Sequence, residues 1–243
     1  MLTKTTKKRI PWDRISLGMI AFFALGIGVF AFVQYVLLRA PADVLLTTFL
    51  EQPFWLYLHI IPAIIALVTG PLQFVKSIRQ RKPAFHRWLG RIYLVVGIVP
   101  GAIGGLVIAQ TTEAGFVGRV GISLLAVLWL WTGWNAYRTI RRGQVQEHKA
   151  WMIRNYALTF AAVTLRLYLP LGILLLSPGL DTVYNGDFEA LFLDVYATTF
   201  WLSWVPNLIV AERIIERQRR RTAAPSPVHE ISRAQSIYQP AGD

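Results

Sequence analysis

Long apolar blocks separated by short polar ones set the pattern of this chain. Six such blocks lie at about 15–38, 54–75, 89–110, 118–137, 152–175 and 191–211. Each is, or nearly is, long enough to cross ~30 Å of hydrocarbon at about 1.5 Å per residue. In lipid a single run satisfies its own backbone hydrogen bonds only as a helix. The pattern predicts an all-α bundle of six transmembrane helices over 15–216, with a basic segment at 1–14 and a tail at 217–243. After Arg221 the tail turns to Thr, Ala, Pro, Ser and Gln, too poor in large apolar side chains to bury a core, and is expected to be disordered.

The blocks also repeat. Residues 67–94 (LVTGPLQFVKSIRQRKPAFHRWLGRIYL) are echoed by 130–158 (LWTGWNAYRTIRRGQVQEHKAWMIRNYAL). In both copies an apolar run closes on Thr-Gly, a basic turn with Ile-Arg follows, and His, Trp, Arg and Tyr open the next run. The unit is a helical hairpin, formed once by helices 2 and 3 and again by helices 4 and 5. Because both copies enter and leave in the same order, a pseudo-two-fold axis along the membrane normal is expected, with His86 and His148 as mates.

Composition agrees with a membrane protein: 54% hydrophobic residues, 9 Trp and a mean hydropathy of +0.45. A net charge of +12 would suit a nucleic-acid binder, but the positions of the charges argue otherwise. All of the 25 Lys and Arg except Arg39, Arg119 and Arg166 fall in four segments: 1–14, 76–91, 138–154 and from Arg213 onward. Threaded through six crossings, these segments share one side. That is the positive-inside pattern, expected of an inner (cytoplasmic) membrane protein with both termini cytoplasmic. The bilayer is the expected partner, and nucleic acid is not. Lys4 to Arg9 ahead of an apolar run would also suit a signal peptide, but 15–38 is longer than the usual apolar core of one, so it reads as an uncleaved crossing. With no Cys, disulfides, iron–sulfur clusters, thiolate zinc sites and covalent haem attachment are excluded. No metal site is predicted.

Candidate chemistry lies in the few polar residues inside the apolar blocks. On the second helix His59, Ala63, Ala66, Gly70 and Gln73 share one face. On the fifth, His148, Asn155, Thr159, Ala162 and Arg166 do the same. Both faces should look inward, because ionisable groups are costly in hydrocarbon. By depth, His59 and Arg166 both fall toward the outer side, with Asp194 as the expected counter-ion of Arg166. The three form a candidate substrate site, or a buried pair that fixes helix register. On the third helix His86, Gly90, Gly97 and Gly104 form a stripe that suits either tight helix packing or a flat cofactor. His86 and His148 are the candidate axial pair of one b-type haem, or interfacial anchors beside Trp88 and Trp151. Opposite His59 the fourth helix carries Ile122, which leaves no ligand pair for a second haem.

His59 with GPLQF at 70–74, HRWLGRIY at 86–93 and WMIRNYALTFAAVTLRLYLP at 151–170 resemble the bacterial multi-pass membrane family of domain of unknown function 2306. The resemblance covers the second to fifth helices and brings no activity with it. The chain is more distantly similar to transmembrane b-type cytochromes with a four-helix core, a likeness that implies one haem between His86 and His148. Three functions follow as expectations. One is a redox-associated protein binding one b-type haem or a quinone in the four-helix core. The others are a small-molecule or ion permease with its site at His59, Arg166 and Asp194, and a non-catalytic subunit or assembly factor docking partner membrane helices. No nucleophile elbow, phosphate loop or hydrolytic dyad is present, and no catalytic residue is assigned.

Overall fold

The computed structural model describes residues 12–39 and 46–223, and all regular structure among them is helical. Five helices are long and apolar enough to cross a membrane: helix 1 (Ser16–Leu37), helix 2 (Pro53–Phe74), helix 3 (Pro83–Thr111), helix 4 (Gly115–Arg141) and helix 5 (Val145–Val183). The expected sixth crossing is interrupted. Helix 6 (Phe188–Leu202) stops at Ser203 and Trp204, and helix 7 (Val205–Ala223) resumes. The cause is local. Pro206 has no N–H to offer the Leu202 carbonyl, while the Ser203 carbonyl accepts from the Thr164 hydroxyl and, at 2.8 Å, from Asn207 Nδ2. Helix 7 runs to Ala223, past the boundary expected at 216. Residues 1–11 and 224–243, with His229 and most of the expected tail, lie outside the described residues.

Helix 2 packs along helix 3, and helix 4 along helix 5, so both expected hairpins form. Helix 1 lies against helix 2, helix 6 against helices 4 and 5, and helix 7 against the first half of helix 5. Pro53 and Pro83 open helices 2 and 3 in the first turn, where no N–H is needed. Helix 4 closes on Gly143 at φ +73°, which lets the Gln144 N–H donate back to the Thr139 carbonyl at 3.0 Å and reverses the chain into helix 5. Two stretches wind more loosely than an α-helix, as π-helix: Phe32–Leu37 in helix 1 and Ile92–Ile98 in helix 3.

The centre of the four-helix core is a cluster containing Ala66, Tyr93, Ile98, Trp129, Tyr156 and Trp204, all buried. One end of the bundle carries the arginines of 76–91, 138–154 and helix 7, and is called the basic end below. There Arg154 grips Glu212 with two bonds of 2.5 and 2.8 Å and lies 4.6 Å over the Trp151 ring, and Arg219 holds Glu147 at 2.9 Å. These contacts tie helix 7 to helix 5. The Arg154 guanidinium also holds the Glu212 carboxyl below the usual glutamate range.

Candidate functional site

At mid-depth, side chains from three helices close a polar network. The Tyr93 hydroxyl of helix 3 donates to Asn155 Oδ1 at 2.7 Å and meets Thr159 Oγ1 at 2.9 Å on helix 5. Trp129 Nε1 of helix 4 donates to Thr159 Oγ1, and Asn155 Nδ2 donates to the Trp129 carbonyl and to Thr132 Oγ1. Beside the network, Tyr156 joins helix 5 to helix 2 by donating to the Leu67 carbonyl at 3.1 Å. That carbonyl is available because Pro71, four residues on, has no N–H. Every bond runs within the protein, so the network reads as the register lock of the core. Asn155 and Thr159 lie on the face expected to look inward; Tyr93 and Tyr156 were not singled out. Their signal was the repeat itself, in which they occupy matched positions.

Toward the basic end the polar groups are not all satisfied. His148 Nδ1 donates to the Ala136 carbonyl at 2.8 Å, which leaves Nε2 free of that bond. His86 is near enough for the charge of His148 to act on it, together with those of Arg79 and Arg87. Its Nδ1 is buried without a hydrogen-bond partner. Gln73 Nε2, on helix 2, is in the same condition. The Gln73 amide rests against Gly90, where a Cβ would come within 3.4 Å of Oε1. Gly90 is one turn along the same helix as His86, so the Gln73 amide meets helix 3 one turn from His86.

At the opposite end, His59 Nδ1 donates to the Gly101 carbonyl at 2.7 Å and Arg166 Nη1 donates to its own Ala162 carbonyl at 2.8 Å. No hydrogen bond joins His59 to Arg166 among the described residues. Asp194 does not join them. The expected Arg166–Asp194 ion pair is absent among the described residues, and Asp194 instead receives the Tyr184 hydroxyl at 3.4 Å and lines a separate cavity of about 400 Å³. The physical reason is that Arg166 is half-buried and bonded within its own helix, whereas Asp194 is exposed and takes the Tyr184 hydroxyl.

The glycine stripe of helix 3 is filled by helix 2. A Cβ at Gly97 would lie 2.9 Å from Ala66 Cβ, and one at Gly104 would lie 2.7 Å from the His59 backbone nitrogen and 2.8 Å from the Trp55 carbonyl. Missing side chains here let two backbones meet, and leave no slot for a planar group along that seam. Among the described residues no three of His, Asp and Glu gather as a metal site requires. Trp88, Trp131 and Trp134 are exposed on the apolar surface, as lipid-facing aromatic residues are.

A helical core with five membrane-length apolar helices and a lipid-facing outer surface defines a multi-pass membrane protein. The comparison of families is more specific: residues 56–215 match the family described as predicted membrane protein (DUF2306), and the chain belongs to it. No curated protein and no solved structure matches the chain. The likeness to b-type cytochromes therefore rests on the placement of His86 and His148 alone.

Proposed function

We propose that this protein binds the headgroup of a membrane quinone at the basic end of its four-helix core, with Gln73 and His86 as the donors. The observation that carries this is the pair of unbonded polar groups, Gln73 Nε2 and His86 Nδ1, both buried, with the Gln73 amide resting on helix 3 at Gly90, one turn from His86. Leaving a buried donor unmade costs about 1–3 kcal/mol, so two together mark a place where an acceptor is missing. An amide N–H and an imidazole N–H suit carbonyl oxygens, and the charges of Arg79 and Arg87 favour an electron-rich head. A quinone head supplies two such carbonyls on an apolar ring, and its tail belongs in lipid. The charge distribution supports six crossings with the basic end, and both termini, in the cytoplasm of the inner membrane.

A b-type haem is the second reading. The bond from His148 Nδ1 to the Ala136 carbonyl is the orientation that an axial histidine needs, with Nε2 left to bind iron. Both are tested on protein purified into lipid nanodiscs. A short-tail ubiquinone analogue is titrated while the tryptophan fluorescence is followed, with Trp88→Phe used to isolate the part that comes from the nearby Trp88, and an absorption spectrum is recorded from the same sample. Saturable quenching is expected, weakened by about tenfold in the doubly substituted Gln73→Leu/His86→Leu protein and unchanged in Asp194→Asn. Equal quenching in the double variant refutes the quinone assignment. A Soret band that vanishes in His148→Ala would replace it with the haem.

A further inference from the structure

A cavity beside Asp194 lies apart from the basic end and carries a carboxylate. It lies between helices 5 and 6 at the end opposite the four basic segments, where only Arg39, Arg119 and Arg166 supply positive charge among the described residues, holds about 400 Å³, and is lined among others by Tyr168, Gly172, Tyr184, Asp194 and Thr198. That volume is within the usual range of small-molecule pockets. The chain carries 25 Lys and Arg, yet among the described residues none pairs with Asp194. Arg166, the expected partner, is tied to the Ala162 carbonyl instead. The connection that leads into helix 6 adds Asp181, Asp187 and Glu189 at the same end, so the approach to the cavity is acidic.

We infer that this cavity binds an alkylammonium group. Asp194 supplies the counter-charge, held in place by the Tyr184 hydroxyl at 3.4 Å. Tyr168 and Tyr184 also line it, and tyrosine rings attract organic cations; the Thr198 hydroxyl can accept an ammonium N–H. The neutral quinone head proposed for the basic end would find no comparable charge to use here. The cation has two sources of the same chemistry, a free amine or the ethanolamine headgroup of a membrane lipid.

The test uses full-length protein in two kinds of nanodisc, one of phosphatidylglycerol only and one half phosphatidylethanolamine, titrated calorimetrically with ethanolamine hydrochloride. Ethylene glycol serves as the uncharged control. Saturable binding of ethanolamine and none of ethylene glycol is expected in the first kind of disc. Asp194→Asn should weaken it by about tenfold or more, and Tyr184→Phe by about two- to tenfold. Thermal unfolding confirms that each variant is folded, and because Asp194 is exposed both should be. Loss of the ethanolamine signal in phosphatidylethanolamine discs identifies the lipid headgroup as the occupant, and its persistence identifies a free amine. Absence of binding in phosphatidylglycerol discs, or binding unchanged by Asp194→Asn, overturns the assignment. Since the quinone test reads Gln73 and His86, either proposal can fail without the other.

Discussion

Gly104→Ala is the sharpest probe of the helix 2–helix 3 seam. The added methyl would sit 2.7 Å from the His59 backbone nitrogen, 2.8 Å from the Trp55 carbonyl and 3.0 Å from the Leu58 carbonyl carbon. Backbone cannot rotate out of the way as a side chain can, so the two helices must separate. Overpacking of this kind costs about 1–3 kcal/mol. Replacing glycine in a helix interior gains roughly 0.5–1 kcal/mol, so the net expectation is a loss of about 1–2 kcal/mol. Separation would also stretch the 2.7 Å bond from His59 Nδ1 to the Gly101 carbonyl. Gly26→Ala is the matched control: it has the same propensity gain, and no heavy atom lies within 4 Å of the new methyl. Thermal unfolding in detergent, followed by the fluorescence of the 9 tryptophans, measures both. Gly104→Ala should unfold at lower temperature than the parent, and Gly26→Ala at the same or a higher one. Equal stability of the two variants would show that the seam is looser than these distances say.

Tyr93→Phe strands Asn155 Oδ1 without its donor, while Thr159 Oγ1 keeps Trp129 Nε1; the expected loss is about 1 kcal/mol, read as a lower denaturation midpoint. Gly70→Ala would drive a methyl into the Tyr156 ring and displace it from the Leu67 carbonyl, so it should unfold earlier than the parent in the same scan. The Arg154–Glu212 clasp adds a pH dependence. Because the folded Glu212 carboxyl titrates below its ordinary value of 4.5, its contribution is fully present above that pH and is lost as pH falls through the lowered value. Glu212→Gln should flatten the acid side of the stability profile, and an unchanged acid limb would show that the clasp contributes nothing.

Much of the architecture could be read from hydrophobic blocks because a bilayer leaves few alternatives to a helix. The hairpins, the inward faces of helices 2 and 5, and the tight helix 2–helix 3 seam are all present in the structure. The sixth crossing could not be read as interrupted, since a hydropathy window averages over Pro206 and is blind to the Thr164 and Asn207 side chains that take the Ser203 carbonyl. The angular placement of His86 relative to Gly97 and Gly104 rests on a uniform α period, and the π-helical stretch Ile92–Ile98, which contains Gly97, breaks that period. The Arg166–Asp194 pair failed for a third reason. Depth counting brings residues to one level of the membrane but does not say which way a side chain turns. Arg166 found an acceptor on its own helix, which no long-range argument from sequence would have ranked first.

The polar groups of the core divide by whether their hydrogen bonds are closed, and that division predicts opposite effects of apolar substitution. Tyr93, Asn155, Thr159 and Trp129 satisfy one another, so removing any of them leaves a partner unpaired and should destabilise the protein. Gln73 has no such partner: its Nε2 is buried and unbonded. Gln73→Leu keeps the bulk of the side chain while removing the desolvated amide, and should therefore raise the stability of the unliganded protein, by about 1–3 kcal/mol if the full desolvation cost is recovered. The same change should weaken binding of the short-tail quinone. Gain in one measurement with loss in the other is what a site held open for a ligand requires. If Gln73→Leu instead unfolds at lower temperature than the parent, the amide already has a structural role in the empty protein, and its isolation is no sign of a ligand.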